Sequence, residues 1–110
     1  MIEPEQCKTM VEVRAGVDAL DERIVALLAV RTRFMDAAAR IKDHRDQVRD
    51  EPRKAAVIAH ARLIAEREGM SPELVGHIYE CLVEASIAYE MKRFDLDEPS
   101  VIDGAVPAFK

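Results

Sequence analysis

The sequence predicts an all-α protein with one long helix followed by two shorter helices. Apolar residues recur at steps of three and four along most of the chain, and no segment alternates as a strand would. At 110 residues and 49% hydrophobic content, the chain has the size and apolar content of one domain. We expect a helical domain over residues 9–94, an N-terminal extension over residues 1–8 and a flexible tail over residues 95–110.

Helix one is predicted from Thr9 to Asp43, a segment that lacks proline and contains a single glycine, Gly16. Such a helix is about 50 Å long, whereas a compact domain of this size has a radius of gyration of about 13 Å. The helix would therefore extend beyond a monomer, which favours a homodimer. Its apolar stripe consists of Met10, Val13, Val17, Leu20, Ile24, Leu27, Leu28, Phe34, Met35, Ala38 and Ile41.

Helix two follows a charged, aperiodic loop over residues 43–49. Asp50 is its predicted N-cap, and Pro52 occupies the first turn, where the missing N–H leaves no helical bond unmade. We expect the helix to end near Glu68, with Gly69 as the C′ residue. Its predicted core residues are Ala55, Ala56, Ile58, Ala59, Leu63 and Ile64.

Helix three begins at a similar signal, because Ser71 is a cap residue and Pro72 follows it directly. Its apolar positions continue to about Phe94. Ser86 and Glu90 lie one turn apart on one face. Glu90 has a partly apolar setting, and a carboxyl group in such a setting tends to have a raised pKa and can donate a hydrogen bond. The residues alone favour the other interpretation, an exposed glutamate that pairs with Arg93 or Arg14.

The composition excludes several classes of protein. The net charge of −5 argues against a nucleic-acid surface, which is normally basic. His44, His60 and His77 lie on three segments without the spacing of metal ligands, so we expect no metal. The sequence has no phosphate-binding loop and no nucleophile motif, so we expect no cofactor.

The predicted compartment is the cytoplasm. The N-terminus has no basic region followed by an apolar stretch, as a signal peptide would have. The apolar runs are short and interrupted by charge, so we expect no membrane span. Cys7 and Cys81 have no ligand-like spacing, which fits reduced cysteines in a cytoplasmic protein.

Three cations on helix one indicate sites for a small anion. Arg31 and Lys42 differ by roughly 20° in azimuth on an ideal helix, so they share a face. Arg14 lies about 25 Å from Arg31 along the axis, too far to bind the same small ligand. This spacing suggests two chains that share sites. The alternative for Arg31 is a side chain that passes the edge of the core to reach solvent.

These residues resemble the AroQ-type, all-helical chorismate mutases over roughly Thr9 to Phe94. The segments that carry the resemblance are VEVRAGVDALDERIVALLAVRTRFMDAAARIK, VRDEPRK and EASIAYE. The related isochorismate–pyruvate lyases have the same scaffold, and the opening PEQCKTMVEVR is similar to the start of those lyases.

The resemblance implies a pericyclic rearrangement of chorismate to prephenate in aromatic amino-acid biosynthesis, without a cofactor. In the family, two chains pair and each site borrows one arginine from the partner, and Arg14 matches that arginine. Arg31 matches the arginine that holds a substrate carboxylate. Lys42 matches the lysine that reaches a carboxylate and the ether oxygen.

The remaining matches lie on helices two and three. Asp50 and Arg53 match the pair near the ring hydroxyl and carboxylate, and Ser86 matches a small polar residue near the pocket. Glu90 matches the Gln or Glu opposite Lys42 at the ether oxygen. An ionised Glu90 would repel the charge that develops there, so the resemblance implies a protonated side chain.

Two alternatives to a mutase remain open. Lys54 stands where many mutases have a Glu that receives the ring hydroxyl, and a lysine cannot accept that hydrogen bond. This departure and the N-terminal resemblance favour an isochorismate–pyruvate lyase, which would form salicylate and pyruvate. The other alternative is a non-catalytic helical dimer that binds a regulatory partner, although all four matching cations are present.

Overall fold

A computed structural model describes residues 2–97 and is entirely helical, without strands, over that range. The helices are α1 (Met10–Ile41), α2 (Glu51–Arg67) and α3 (Pro72–Asp97). Short 3-10 turns lie at Pro4–Gln6 and Arg45–Gln47. The predicted all-α class, with one long helix followed by two shorter ones, is confirmed.

The boundaries follow the local signals in the sequence. The carboxylate of Asp50 caps α2 by accepting a hydrogen bond from the Arg53 amide at 2.9 Å. Gly69 follows α2 with a φ of 74°, a conformation that glycine adopts without steric cost. The hydroxyl of Ser71 accepts the Leu74 amide at 3.2 Å and so caps α3. All three predicted caps are therefore confirmed.

The end of α3 differs from the prediction. The helix continues to Asp97, three residues beyond Phe94, and the additional turn is supported by ion pairs. Arg45 binds Asp95 at 2.8 Å, and Arg93 lies 3.8 Å from Asp97 one turn along the helix. The rest of the predicted tail, residues 98–110, lies outside the described residues.

The chain divides into two compact units at Phe34, within α1. The first unit contains the N-terminal 3-10 turn and most of α1. Thr9 and Glu12 form a capping box at the start of α1: the Thr9 amide donates to the Glu12 carboxylate at 3.0 Å, and the Glu12 amide donates to the Thr9 hydroxyl at 3.2 Å. Ten large apolar side chains of α1 in this unit are at least 38% exposed: Met10, Val11, Val13, Val17, Leu20, Ile24, Val25, Leu27, Val30 and Phe34. Leu28 is half-buried. The predicted apolar stripe is therefore largely open in the single chain.

The second unit contains the last turns of α1, the connecting loop, α2 and α3. Its core joins Ala39 of α1, Val48 of the loop and Phe94 of α3, with Ile87 and Met91 packed against them. Because the loop residue Val48 is buried in this core, the loop is anchored between the helices rather than free in solvent.

The predicted core of α2 is wrong in part. The helix buries Ala61 and Ala65, which were not predicted. Of the predicted residues, Ile58 and Ile64 are half-buried, whereas four are exposed: Ala55, Ala56, Ala59 and Leu63. The facing helix contributes the buried Gly76, and the Arg62 side chain lies so close to it that an added Cβ would meet Nη1 at 2.8 Å. That neighbour is the end of a flexible side chain, so a shift of Arg62 would make room for the Cβ. The buried residues of α2 are alanines, whereas α3 also buries Val83. No helix over residues 2–97 is long and apolar enough to cross a membrane.

Candidate active site

The centre of the candidate site is an ion pair between α3 and the residue that follows α1. Lys42 Nζ donates to Glu90 Oε2 at 2.7 Å, although 48 residues separate the two in sequence. Glu90 is 4% exposed, and no other charged residue with a described environment is buried to that degree. The structure thus rejects an exposed Glu90 and joins the two residues that the sequence predicts to face each other.

Local structure explains why Lys42 reaches this position. Its amide still bonds to the carbonyl of Ala38 at 3.0 Å, so it continues the helical path for one residue beyond Ile41. A cation at the C-terminal end of a helix is stabilised by the negative end of the helix dipole. The Lys42 side chain is 29% exposed, so it contacts the buried Glu90 carboxylate and also lines the solvent-facing groove beside it.

The loop after Lys42 is held in a defined shape. The side-chain oxygen of Gln47 accepts the amides of Asp43 and His44 at 2.8 and 3.0 Å, which closes the 3-10 turn. With Val48 buried in the core, the chain then delivers Asp50 to the start of α2. Lys42 and Asp50 line one surface groove as a result.

Asp50 and Arg53 lie together on the first turn of α2, and both are exposed. The N-cap bond uses Oδ1 of Asp50, while the Arg53 side chain projects from the helix. Ser86 lies on α3 one turn before Glu90, partly buried, with its hydroxyl donating to the Leu82 carbonyl at 2.8 Å.

The two arginines of α1 belong to the first unit. Arg14 is exposed in the second turn of the helix, and Arg31 is half-buried further along. They are 17 residues apart, which corresponds to about 25 Å of helix. The helical conformation of the whole segment supports the premise that one small ligand does not contact both arginines of one chain.

Arg93 pairs with residues other than Glu90. Arg93 lies 3.4 Å from Asp36 of α1, and the hydroxyl of Tyr89 donates to the same carboxylate at 2.5 Å. The hydrogen bond to Asp36 raises the pKa of the Tyr89 phenol. Through these two contacts, Asp36 links the last turns of α1 to α3.

An ionic network at the start of α2 was missed by the sequence analysis. Glu84 of α3 binds Arg49 through two hydrogen bonds, at 2.7 and 3.0 Å, and binds Lys54 at 2.6 Å. Glu80 binds Lys54 at 2.5 Å, and Arg49 also binds Glu51 at 2.8 Å. The only signal in the sequence was the one-turn spacing of Glu80 and Glu84. Lys54 is thus a structural partner of α3.

The same network shifts the titration of its members. Hydrogen bonds from Arg49, followed by that from Lys54, lower the pKa of Glu84 from 4.5 to about 2. Hydrogen bonds to Glu80 and then Glu84 raise the pKa of Lys54. Because these groups contact solvent, the shifts indicate preferred charge states and not a large stabilisation.

We expect Glu84→Gln to make the stability of the fold less sensitive to acid. A carboxylate whose folded pKa is depressed stabilises the fold above pH 4.5 and loses that contribution as the pH falls towards about 2. Urea midpoints at pH 7 and pH 3 measure the effect. The variant should be less stable than the parent at pH 7 and lose less on acidification. Glu22→Gln is the control, because this exposed glutamate of α1 forms no ion pair among the described residues. An equal acid loss in Glu84→Gln and the parent would contradict the assignment.

Comparison with known protein families identifies the class of protein to which this chain belongs. The chain belongs to the chorismate mutase type II family, whose model matches residues 13–91. That range contains every site residue predicted from the sequence. A relative is the isochorismate pyruvate lyase of Pseudomonas aeruginosa, which is 27% identical over 89 residues, or 81% of this chain and 88% of the relative. The family inferred from the sequence is confirmed.

Proposed function

We propose that this chain is a chorismate mutase that rearranges chorismate to prephenate. The observation that carries the proposal is the Lys42–Glu90 pair, which holds an ammonium and a carboxyl group 2.7 Å apart in a buried position. A pericyclic rearrangement needs donors aimed at the breaking ether oxygen, where negative charge develops. In the substrate complex, the ether oxygen would lie between Lys42 and a protonated Glu90 and accept from both, in place of the direct ion pair that the two residues form in the free chain.

Arginines would hold the two substrate carboxylates. A planar guanidinium binds a carboxylate through two parallel hydrogen bonds, which fixes orientation better than an ammonium does. We assign this role to Arg31 of one chain, Arg14 of the other chain and Arg53. Holding the dianion in its compact, pseudo-diaxial conformer lowers the barrier by orientation.

Asp50 and Ser86 would complete the binding site. The N-cap bond occupies Oδ1 of Asp50, so Oδ2 is suited to accept the ring hydroxyl. This role matters more here than in a mutase with Glu at position 54, because Lys54 is held by Glu80 and Glu84. Ser86 would line the pocket between Asp50 and Glu90.

A homodimer is part of the proposal. The exposed apolar stripe of α1 supports it, because a contiguous apolar surface of this size normally marks an interface. The separation of Arg14 and Arg31 also supports it, since each substrate would then receive one arginine from each chain. We place the dimer in the cytoplasm and its reaction in aromatic amino-acid biosynthesis.

Isochorismate–pyruvate lyase is the second candidate function. Two observations favour it: the relative from Pseudomonas aeruginosa is an isochorismate pyruvate lyase by name, and Lys54 provides no acceptor for the ring hydroxyl. Supplying purified protein with chorismate and isochorismate separately tests both candidates. Prephenate from chorismate supports the mutase, and salicylate with pyruvate from isochorismate supports the lyase. Turnover of neither substrate would overturn both and favour a non-catalytic dimer.

Glu90→Gln should retain activity, because an amide N–H can donate to the ether oxygen as a protonated carboxyl group would. Glu90→Met has no donor and should lower kcat by about 10²-fold. Steady-state kinetics of the two variants measure the difference. Equal loss of activity in both folded variants would refute the role of Glu90 as a donor.

A further inference from the structure

We propose that Glu84 is a positioning residue that fixes the ligand-binding turn, Asp50 to Arg53, against α3. The role of the turn in binding rests on the proposed function. The contacts that hold it do not, because they are formed by residues outside the assigned site.

One carboxylate binds the residues on both sides of the turn. Arg49 directly precedes Asp50, and its guanidinium donates to both oxygens of Glu84, at 2.7 and 3.0 Å. Lys54 directly follows Arg53 and donates to Oε2 of Glu84 at 2.6 Å. Glu84 therefore restrains both ends of a four-residue segment.

The bonds within the turn do not provide this restraint. The Arg53 amide donates to the Asp50 carboxylate, and the Lys54 amide donates to the Asp50 carbonyl, both at 2.9 Å. They set the internal shape of the turn but do not connect it to α3. Glu84 lies two residues before Ser86 on α3, so its bonds relate the turn to the helix that carries Ser86 and Glu90.

The geometry of the network favours positioning over bulk stability. Isolated exposed ion pairs contribute little to stability, but a bidentate guanidinium within a network defines an orientation. Lys54 is the better sheltered cation, with 16% of its side chain exposed, against 43% for Arg49. Loosening the turn would weaken contacts that the substrate makes before and during reaction, so the effect should fall on KM rather than kcat.

The chain offers a matched control one turn away. Glu80 binds Lys54 at 2.5 Å, and among the described residues it forms no ion pair with Arg49. Glu80→Gln therefore removes the same charge from the same helix and leaves the two-point bond to Arg49 intact. Only Glu84→Gln removes a bond to α3 at both ends of the turn, and it leaves Lys54 with Glu80 as its remaining partner on α3.

The experiment compares Glu84→Gln with Glu80→Gln by steady-state kinetics and by hydrogen exchange of the Arg53 and Lys54 amides. For Glu84→Gln we expect KM to rise about fivefold with kcat within about twofold, together with faster exchange at both amides. Glu80→Gln should change KM less than about twofold. Arg49→Lys keeps the charge but loses the two-point bond, so it should raise KM as well, and it replaces Glu84→Gln if that variant does not fold.

Equal effects of Glu84→Gln and Glu80→Gln would overturn the proposal, as would loss of thermal stability with an unchanged KM. The activity of the parent protein distinguishes a failure of the proposed function from a failure of the proposed role of Glu84. If the parent turns over neither chorismate nor isochorismate, the proposed function fails, and hydrogen exchange alone decides on Glu84. Faster exchange in Glu84→Gln but not in Glu80→Gln would then support the restraint, and equal exchange would refute it.

Discussion

Lys42→Met is expected to reduce kcat by about 10³-fold, because in the proposed reaction it removes a charged donor aimed at the ether oxygen on which negative charge develops. It should also destabilise the fold by about 2 kcal/mol, since the buried Glu90 loses its partner. This loss of stability should be smaller than for a fully buried ion pair, because the Lys42 side chain is 29% exposed. Steady-state kinetics and urea unfolding measure the two effects.

A second variant separates catalysis from stability. Replacing both partners, as Lys42→Met with Glu90→Met, leaves no unpaired charge and should restore most of the stability without restoring activity. Lys92→Met, at an exposed lysine two residues after Glu90, is the control and should behave as the parent. Full activity in Lys42→Met would remove Lys42 from the mechanism.

Arg14→Ala and Arg31→Ala are each expected to be inactive, and mixing the two proteins should restore about one quarter of the parent activity. In a mixed dimer one site receives both intact arginines and the other receives neither, and random pairing makes about half of the dimers mixed. The measurement is the specific activity of an equimolar mixture after subunits have been exchanged in mild denaturant and refolded.

The matched control for this experiment pairs Arg31→Ala with Lys42→Met. Both residues are assigned to the same chain's portion of a site, so every site in the mixture lacks one of them, and no activity should return. If Arg14→Ala and Arg31→Ala also fail to recover although mixed dimers are demonstrated, Arg14 does not act across chains.

The helices were predictable because their signals are local. Asp50, Gly69 and Ser71 act on the backbone within four residues, and the structure uses each as the sequence indicated. The extension of α3 to Asp97 was not predictable, because it is accompanied by a bond between Asp95 and Arg45, which lies 50 residues away in sequence.

The candidate site was predictable to a smaller extent. The pairing of Lys42 with Glu90 followed from the family pattern, and the burial of Glu90 excluded the competing pair with Arg93. The environment of Lys54 could not be inferred, because many acidic residues were possible partners. The choice of Glu80 and Glu84 depends on how α2 packs against α3, which no local signal in the sequence specifies.

The open apolar stripe of α1 has a consequence for how the stability of this protein should be reported. If a second chain covers that surface, folding and association form one equilibrium, and mass action makes the folded fraction depend on total protein concentration. A melting temperature measured at one dilution would then describe the sample rather than the chain. The thermal midpoint should rise with concentration, and a midpoint that is constant over a hundredfold dilution would mean that the stripe remains open to water.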